Sequence, residues 1–385
     1  MLGMWEPMPK QIYIAIGNHR SYVGIKELIY SLQSSLSDSF SVKLTRELKS
    51  DSVNIIIDEF SGLFDLAVIK KTKELYPNTK IVIIATEFAT PVSVLGLELT
   101  KTFNFFNTPD DWVKLILGSL RHLAGGVPSY MQLRYVGFVR ALQYCDLLAV
   151  IHPAILPTIS QLVEQCGPRL PTPLSIYPQI GPLSVVQLGR LWHLPVGFAM
   201  TGTQTRYRTG ISRRLIRKFQ RVGWFAPIYK HVPFEARTNG TFDSDDYLAD
   251  YHAVSPEYLF NINPPQTSNW PYSSPMRILR AILLGQVPVV TKKFHDHILE
   301  NVATLWDGKS ETAVELGTRQ FIDRRLWLTD YMRSLEAYDR QARQANKAFV
   351  DAIKALAESA PGNTLPSKAP DAAPFATLSR AGERR

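Results

Sequence analysis

Two stretches in the second half of the chain place cations beside backbone donors. Residues 197–223, GFAMTGTQTRYRTGISRRLIRKFQRVG, open as an apolar strand and turn at Gly202 and Thr203 before reaching Arg206. A small-residue turn after a strand lets backbone N–H groups approach a phosphate, and Arg206 or Arg208 can add charge-assisted bonds. The basic run continues through Arg213, Arg214, Arg217, Lys218 and Arg221 with no acid from 206 to 221. Those later cations read either as a solvated helix face or as an attractor for an anionic membrane surface.

Residues 273–297, SSPMRILRAILLGQVPVVTKKFHDH, read as helix, Gly and then a β-branched strand. Ser273 or Ser274 suits an N-cap and Pro275 the first helical position. Arg277 then falls in the first turn and Arg280 one turn later. Cations there oppose the helix dipole at a cost of about 0.3–1 kcal/mol. A bound anion reverses that sign, because the free N–H groups and Arg277 then favour the same ligand. Between these stretches, NINPPQTSNWPY (261–272) offers Asn263, Trp270 and Tyr272, whose polar and aromatic groups suit a base or a sugar. Trp270 and Tyr272 suit packing under the loop equally well. His295, Asp296 and His297 form a lone His-x-His, too weak a pattern for a metal site. No metal or cofactor is expected.

In the first half, polar residues follow each apolar run: His19, Asp58, Glu59, Glu87 and His152. A carboxylate or His in a cleft can serve as a general base that takes a proton from a hydroxyl. The order of preference is Glu87, Asp58, His19. Each also has a plainer reading: His19 in an ordinary loop, Asp58 capping a helix, Glu87 at the surface, His152 in a turn before Pro153.

The elements that position these residues alternate. QIYIAIG, SVNIIIDEF, TKIVIIATEF, KTFNFFN and DLLAVIHP read as strands, with helical spacing between them. Proline and glycine interrupt the pattern over 172–184, and a second strand–helix series follows. The expected architecture is α/β, with two Rossmann-like doubly wound domains facing across a cleft, since ligands bind outside the carboxyl ends of such strands. The domains are read as 1–180 and 181–335, followed by a C-terminal helix at 336–359 and a disordered tail at 360–385.

The order GTQTRYR, YLFNINP, SPMRILRAILLGQVPVV resembles the donor half of GT-B glycosyltransferases, especially the group 1 and spore-maturation (CgeB-like) families. The resemblance spans 196–297. It implies transfer of a sugar from a nucleotide-activated donor to a glycan, lipid-linked or protein acceptor, without a metal. It also implies a diphosphate near Gly202, Thr203 and Arg206, with Ser273, Ser274, Arg277 and Arg280 around the following helix. Asn263, Trp270, Tyr272 and Asp296 would face the nucleotide or sugar. The family places Glu where this chain has Arg280, and many members place another near Tyr272. The alternative is therefore a catalytically weak or inactive GT-B-like protein that binds a nucleotide sugar or glycan.

Composition agrees with two globular cores: 385 residues, 45% hydrophobic and 11% aromatic. The formal charge of +9 favours anionic partners, but no helix-turn-helix or RNP pattern points to nucleic acid. Two cysteines, Cys145 and Cys166, make no disulfide framework, so a reducing compartment is expected. The N-terminus lacks the features of a signal peptide, and no apolar run is long enough to span a bilayer. The expected location is cytoplasmic, including the inner membrane face.

Overall fold

The structure is a computed structural model that describes residues 10–16, 26–58, 66–86, 89–94, 97–102, 141–152, 174–175, 192–193, 196–201, 206–222, 228–232, 258–264, 273–291 and 302–359. Its first sheet has six strands: β1 (Gln11–Ala15), β2 (Ser41–Thr45), β3 (Val53–Asp58), β4 (Lys80–Ala85), β7 (Leu147–Val150) and β8 (Leu174–Ser175). They lie in the order β2-β1-β3-β4-β7-β8, and every pairing is parallel. Continuous runs such as Ile81–Ala85 and Leu147–Val150 are buried throughout. That is the signature of a parallel sheet covered on both faces. Helices α1 (Lys26–Leu36) and α2 (Leu66–Leu75) contribute Leu28, Leu32, Leu36 and Ile69 to this core.

The second sheet joins β9 (Gly197–Thr201), β10 (Ile228–Val232), β11 (Phe260–Ile262), β12 (Val287–Thr291) and β13 (Thr304–Trp306) in the order β10-β9-β11-β12-β13. It too is parallel. Both sheets reverse direction beside their first strand, between β1 and β3 and between β9 and β11. These are the topological switch points where open α/β sheets bind ligands. Helices α3 (Arg206–Val222), α4 (Pro275–Leu283) and α5 (Ser310–Ile322) accompany the second sheet.

Helix α4 owes its end to a glycine. Gly285 has φ of 72°, its N–H donates to Ile282 O and the Gln286 N–H donates to Ala281 O. This Schellman cap satisfies carbonyls the last turn would otherwise leave open. Tyr331 Oη also donates to Ile282 O at 3.0 Å, fixing the same corner from outside.

Helix α6 runs Arg324–Ser359 and ties the two cores together. Trp327, Tyr331, Tyr338 and Ala342 are buried with the second sheet, whereas Phe349, Ile353 and Ala357 are buried with the first. The repeat of three and four is one face of a helix. At the far end Lys10 Nζ donates to Ala357 O at 2.8 Å. The helix begins well before residue 336 because Asp323 caps it, its carboxylate accepting the Arg325 N–H at 3.0 Å.

Four strands depart from the sequence reading. The edge strand β2, SVKLT, has no apolar run and is only half buried, and its alternation rests on just Val42 and Leu44. Strands β5 (Ala89–Val94) and β6 (Leu97–Thr102) form an antiparallel pair that interrupts the βα alternation. Leu174–Ser175, within the expected interdomain linker, instead pairs with β7 as the last strand of the first sheet. The tail 360–385 lies outside the described residues.

Candidate functional site

The switch point of the second sheet is built around one backbone carbonyl. Pro264 follows β11, and its oxygen accepts hydrogen bonds from two arginines on different helices. Arg208, in the first turn of α3, donates Nε at 3.3 Å and Nη2 at 3.2 Å. Arg277, in the first turn of α4, donates Nη1 at 3.0 Å. Arg208 is 1% exposed, whereas Arg277 is half buried. The sheet forces this convergence, since β9 and β11 are hydrogen-bonded neighbours and α3 and α4 lie on either side of the crossing in sequence.

Neighbouring groups extend the cluster. Asn263 is held by its N–H to Val289 O at 2.7 Å, and the Ser273 hydroxyl donates to Asn263 O at 3.3 Å. Among the described residues the Asn263 side-chain amide nitrogen is buried without a hydrogen-bond partner, as is the Thr291 hydroxyl at the end of β12. Buried donors without partners carry a desolvation cost of about 1–3 kcal/mol each. Ser274 is the N-cap residue of α4 by backbone, but its side chain makes no cap bond. Its carbonyl takes the N–H groups of both Arg277 and Ile278. Pro275 has no N–H to give.

The spare donors at the start of α4 are on side chains. Among the described residues, Arg277 uses one of the five N–H groups of its guanidinium on protein, and the Ser274 hydroxyl and Asn263 amide use none. No described acid sits in the first turn. A donor-rich, acid-free helix start complements an anion with several oxygens.

Of the residues expected at a donor site, the structure gathers Asn263, Ser273, Ser274 and Arg277 around this carbonyl. Arg280 lies one turn further along α4 and is 5% exposed, held in the interior of the helix packing. Arg206 begins α3, with its side chain outside the described residues. Gly202, Thr203, Trp270, Tyr272 and Asp296 lie outside them too. Sequence reasoning raised Arg208 only as an alternative to Arg206. Its burial was the missing fact, and its place at Tyr207-Arg208 on the inward side of α3 was the available signal. The Pro264 carbonyl carried no side-chain signal at all, and Thr291 was hidden in a β-branched strand.

In the first sheet, Asp58 closes β3 directly across from Ala85 of β4, and Ala85 lies across from Val150 of β7. The carboxyl ends of β3, β4 and β7 thus share one edge, from which His152 follows, fully buried. The side chain of Asp58, and all of His19 and Glu87, lie outside the described residues. Cys145 sits in this core and is not a nucleophile candidate: burial pushes its thiol up to about 12. No helix of the described residues is long and apolar enough to cross a membrane.

Comparison with known proteins defines the fold class. An alpha-glucosyltransferase solved with UDP and a 13-mer DNA containing a HMU base matches with a TM-score of 0.51 and 12% identity, covering 91% of this chain and 100% of that one. A second structure, an alpha-glucosyltransferase with UDP-glucose and DNA containing an abasic site, matches at 0.51 and 12%, over 90% and 99% of the two chains. An alpha,alpha-trehalose-phosphate synthase (UDP-forming) from Burkholderia vietnamiensis gives a TM-score of 0.43 and 10% identity, over 87% and 76%. No protein-family model matches the sequence, and no curated protein is similar to it. The chain has the GT-B fold of the two alpha-glucosyltransferases. At such low identity the likeness concerns the fold.

Proposed function

We propose that the chain is a glycosyltransferase that takes a sugar from a nucleotide-activated donor. The observation that carries this reading is the donor-rich start of α4 facing the switch point, where Arg208 and Arg277 meet on Pro264 O. In this reading the donor diphosphate lies against the Ser274 hydroxyl and the free edge of Arg277. Gly202, Thr203 and Arg206 are the further diphosphate contacts that the sequence assigns. Asn263 and Thr291 present their buried donors to the nucleotide or sugar, for which the sequence also assigns Trp270, Tyr272 and Asp296.

Transfer breaks the bond between the anomeric carbon and the diphosphate oxygen, and the electron pair leaves with the diphosphate. The guanidinium of Arg277 and the Ser274 hydroxyl stabilise that growing charge in place without a metal. The acceptor hydroxyl forms the new bond and loses its proton to a group at the carboxyl edge of the first sheet. Glu87, Asp58 and His19 are the candidates in that order. The acceptor is a glycan, a lipid-linked sugar or a protein.

Burial of Arg280, where the resembled families carry an acid, favours one further reading: a protein that binds the nucleotide sugar and turns it over poorly. Release of free nucleoside diphosphate from a panel of nucleotide sugars separates the two. An enzyme releases it, and Arg277→Ala slows that release. No release from any donor, with binding retained, leaves the second reading.

A further inference from the structure

The outer face of α3 lies apart from the switch point. This helix holds seven cations and no acid in its 17 residues. Arg208 is spent on Pro264 O, and Lys218 pairs with Glu311 at 2.7 Å. Arg213, Arg214, Arg217 and Arg221 remain on the exposed side, where none makes an ion pair among the described residues. Arg213, Arg217 and Arg221 repeat every fourth residue, and so form one stripe at about 6 Å intervals. Two apolar side chains interrupt the basic face, Ile216 at 39% and Val222 at 41% exposure.

Helix α5 packs beside α3, joined to it by the Lys218–Glu311 pair in its first turn. At its other end, about 16 Å further on, Phe321 is 57% and Ile322 79% exposed. Arg319 lies beside them and is exposed, whereas Arg325 is paired with Asp323 at 3.0 Å. The inner side of α3 is occupied, since Ile211, Leu215 and Phe219 belong to the core of the second sheet. The helix is therefore fixed and presents a rigid basic surface.

We propose that this α3–α5 face docks the protein on an anionic membrane surface. Lipid phosphates complement the arginine stripe, and the acyl boundary takes up Ile216, Val222 and the Phe321–Ile322 corner. A polynucleotide would satisfy the arginines but gives the exposed apolar groups nothing to bury against. The inference does not rest on the donor site, from which none of these side chains is drawn.

Co-sedimentation of the full chain with vesicles tests it. The expected result is binding to phosphatidylcholine vesicles containing about 30% phosphatidylglycerol, and none to phosphatidylcholine alone. The triple variant Arg213→Gln/Arg217→Gln/Arg221→Gln should bind roughly 100-fold more weakly. Phe321→Ser/Ile322→Ser should lose the part of the binding that survives high salt. Both variants should keep the native melting temperature and any nucleotide response, which separates this result from failure of the donor reading. No binding to anionic vesicles overturns the proposal, as does equal binding by the arginine variant. Duplex DNA bound through the same arginines, with vesicles ignored, assigns the face to a polynucleotide and overturns it too.

Discussion

Arg208 and Arg277 come from different helices, 69 positions apart in sequence, yet both donate to the single carbonyl oxygen of Pro264. The two play unequal parts. Arg208 is sealed in and tied to the backbone, so it works as a strut. Arg277 is half buried and keeps most of its donors, so it is the one placed to meet a ligand.

Their substitutions should separate accordingly. Arg277→Ala should leave melting nearly unchanged while weakening nucleotide binding by about 1.5–3 kcal/mol, the value of a charge-assisted bond. Arg208→Ala should lower stability itself, because it empties a buried site and strips donors from Pro264 O. Thermal melting with and without nucleotide distinguishes the two outcomes. Equal effects on stability would contradict the division of labour.

Gly285 tests how α4 is held in place. At a φ of 72° an L side chain is strained, so Gly285→Ala should cost about 1–2 kcal/mol in a denaturant melt. The change lies at the opposite end of the helix from Arg277. Nucleotide binding by the folded fraction should therefore persist.

The crossing of α6 predicts coupling between the two cores. Phe349 is fully buried against the first sheet although its helix begins in the second core. Phe349→Ala should cost about 3–5 kcal/mol, from lost burial and the cavity left behind. A melt that stays unchanged would mean that the C-terminal part of α6 does not close the first core.

Cys145 carries a prediction about pH. Burial raises its thiol from 9.0 to about 12 in the folded protein, so folding favours the protonated form. That contribution is complete below pH 9, and is lost progressively as pH rises from 9 towards 12. In the native state at pH 8, alkylation followed by peptide mass spectrometry should leave Cys145 unmodified, and unfolding should expose it. Labelling of native protein at the rate of a free thiol would contradict the burial.

The sequence made the sheets legible because their strands are continuous apolar runs, as in VNIIID and KIVIIA. It concealed β2, which alternates weakly at an edge, and the β5–β6 pair, which no helical interval announces. At the site, the SSP start of α4 and Arg277 were readable from capping chemistry. Arg208 and Pro264 O were not, because their meeting depends on which strands lie side by side. Arg280 illustrates the same limit: its spacing put it near Arg277, and only packing shows that it is enclosed.

The most direct measurement is thermal melting of the full chain against a panel of nucleoside diphosphates and their sugars, repeated with Arg277→Ala. A ligand at about 100 times its Kd should stabilise the protein by about 2.7 kcal/mol. The account predicts that at least one nucleotide raises the melting temperature, and that the variant loses most of the shift. No shift with any nucleotide, or a shift that Arg277→Ala leaves intact, would contradict a donor diphosphate at the start of α4.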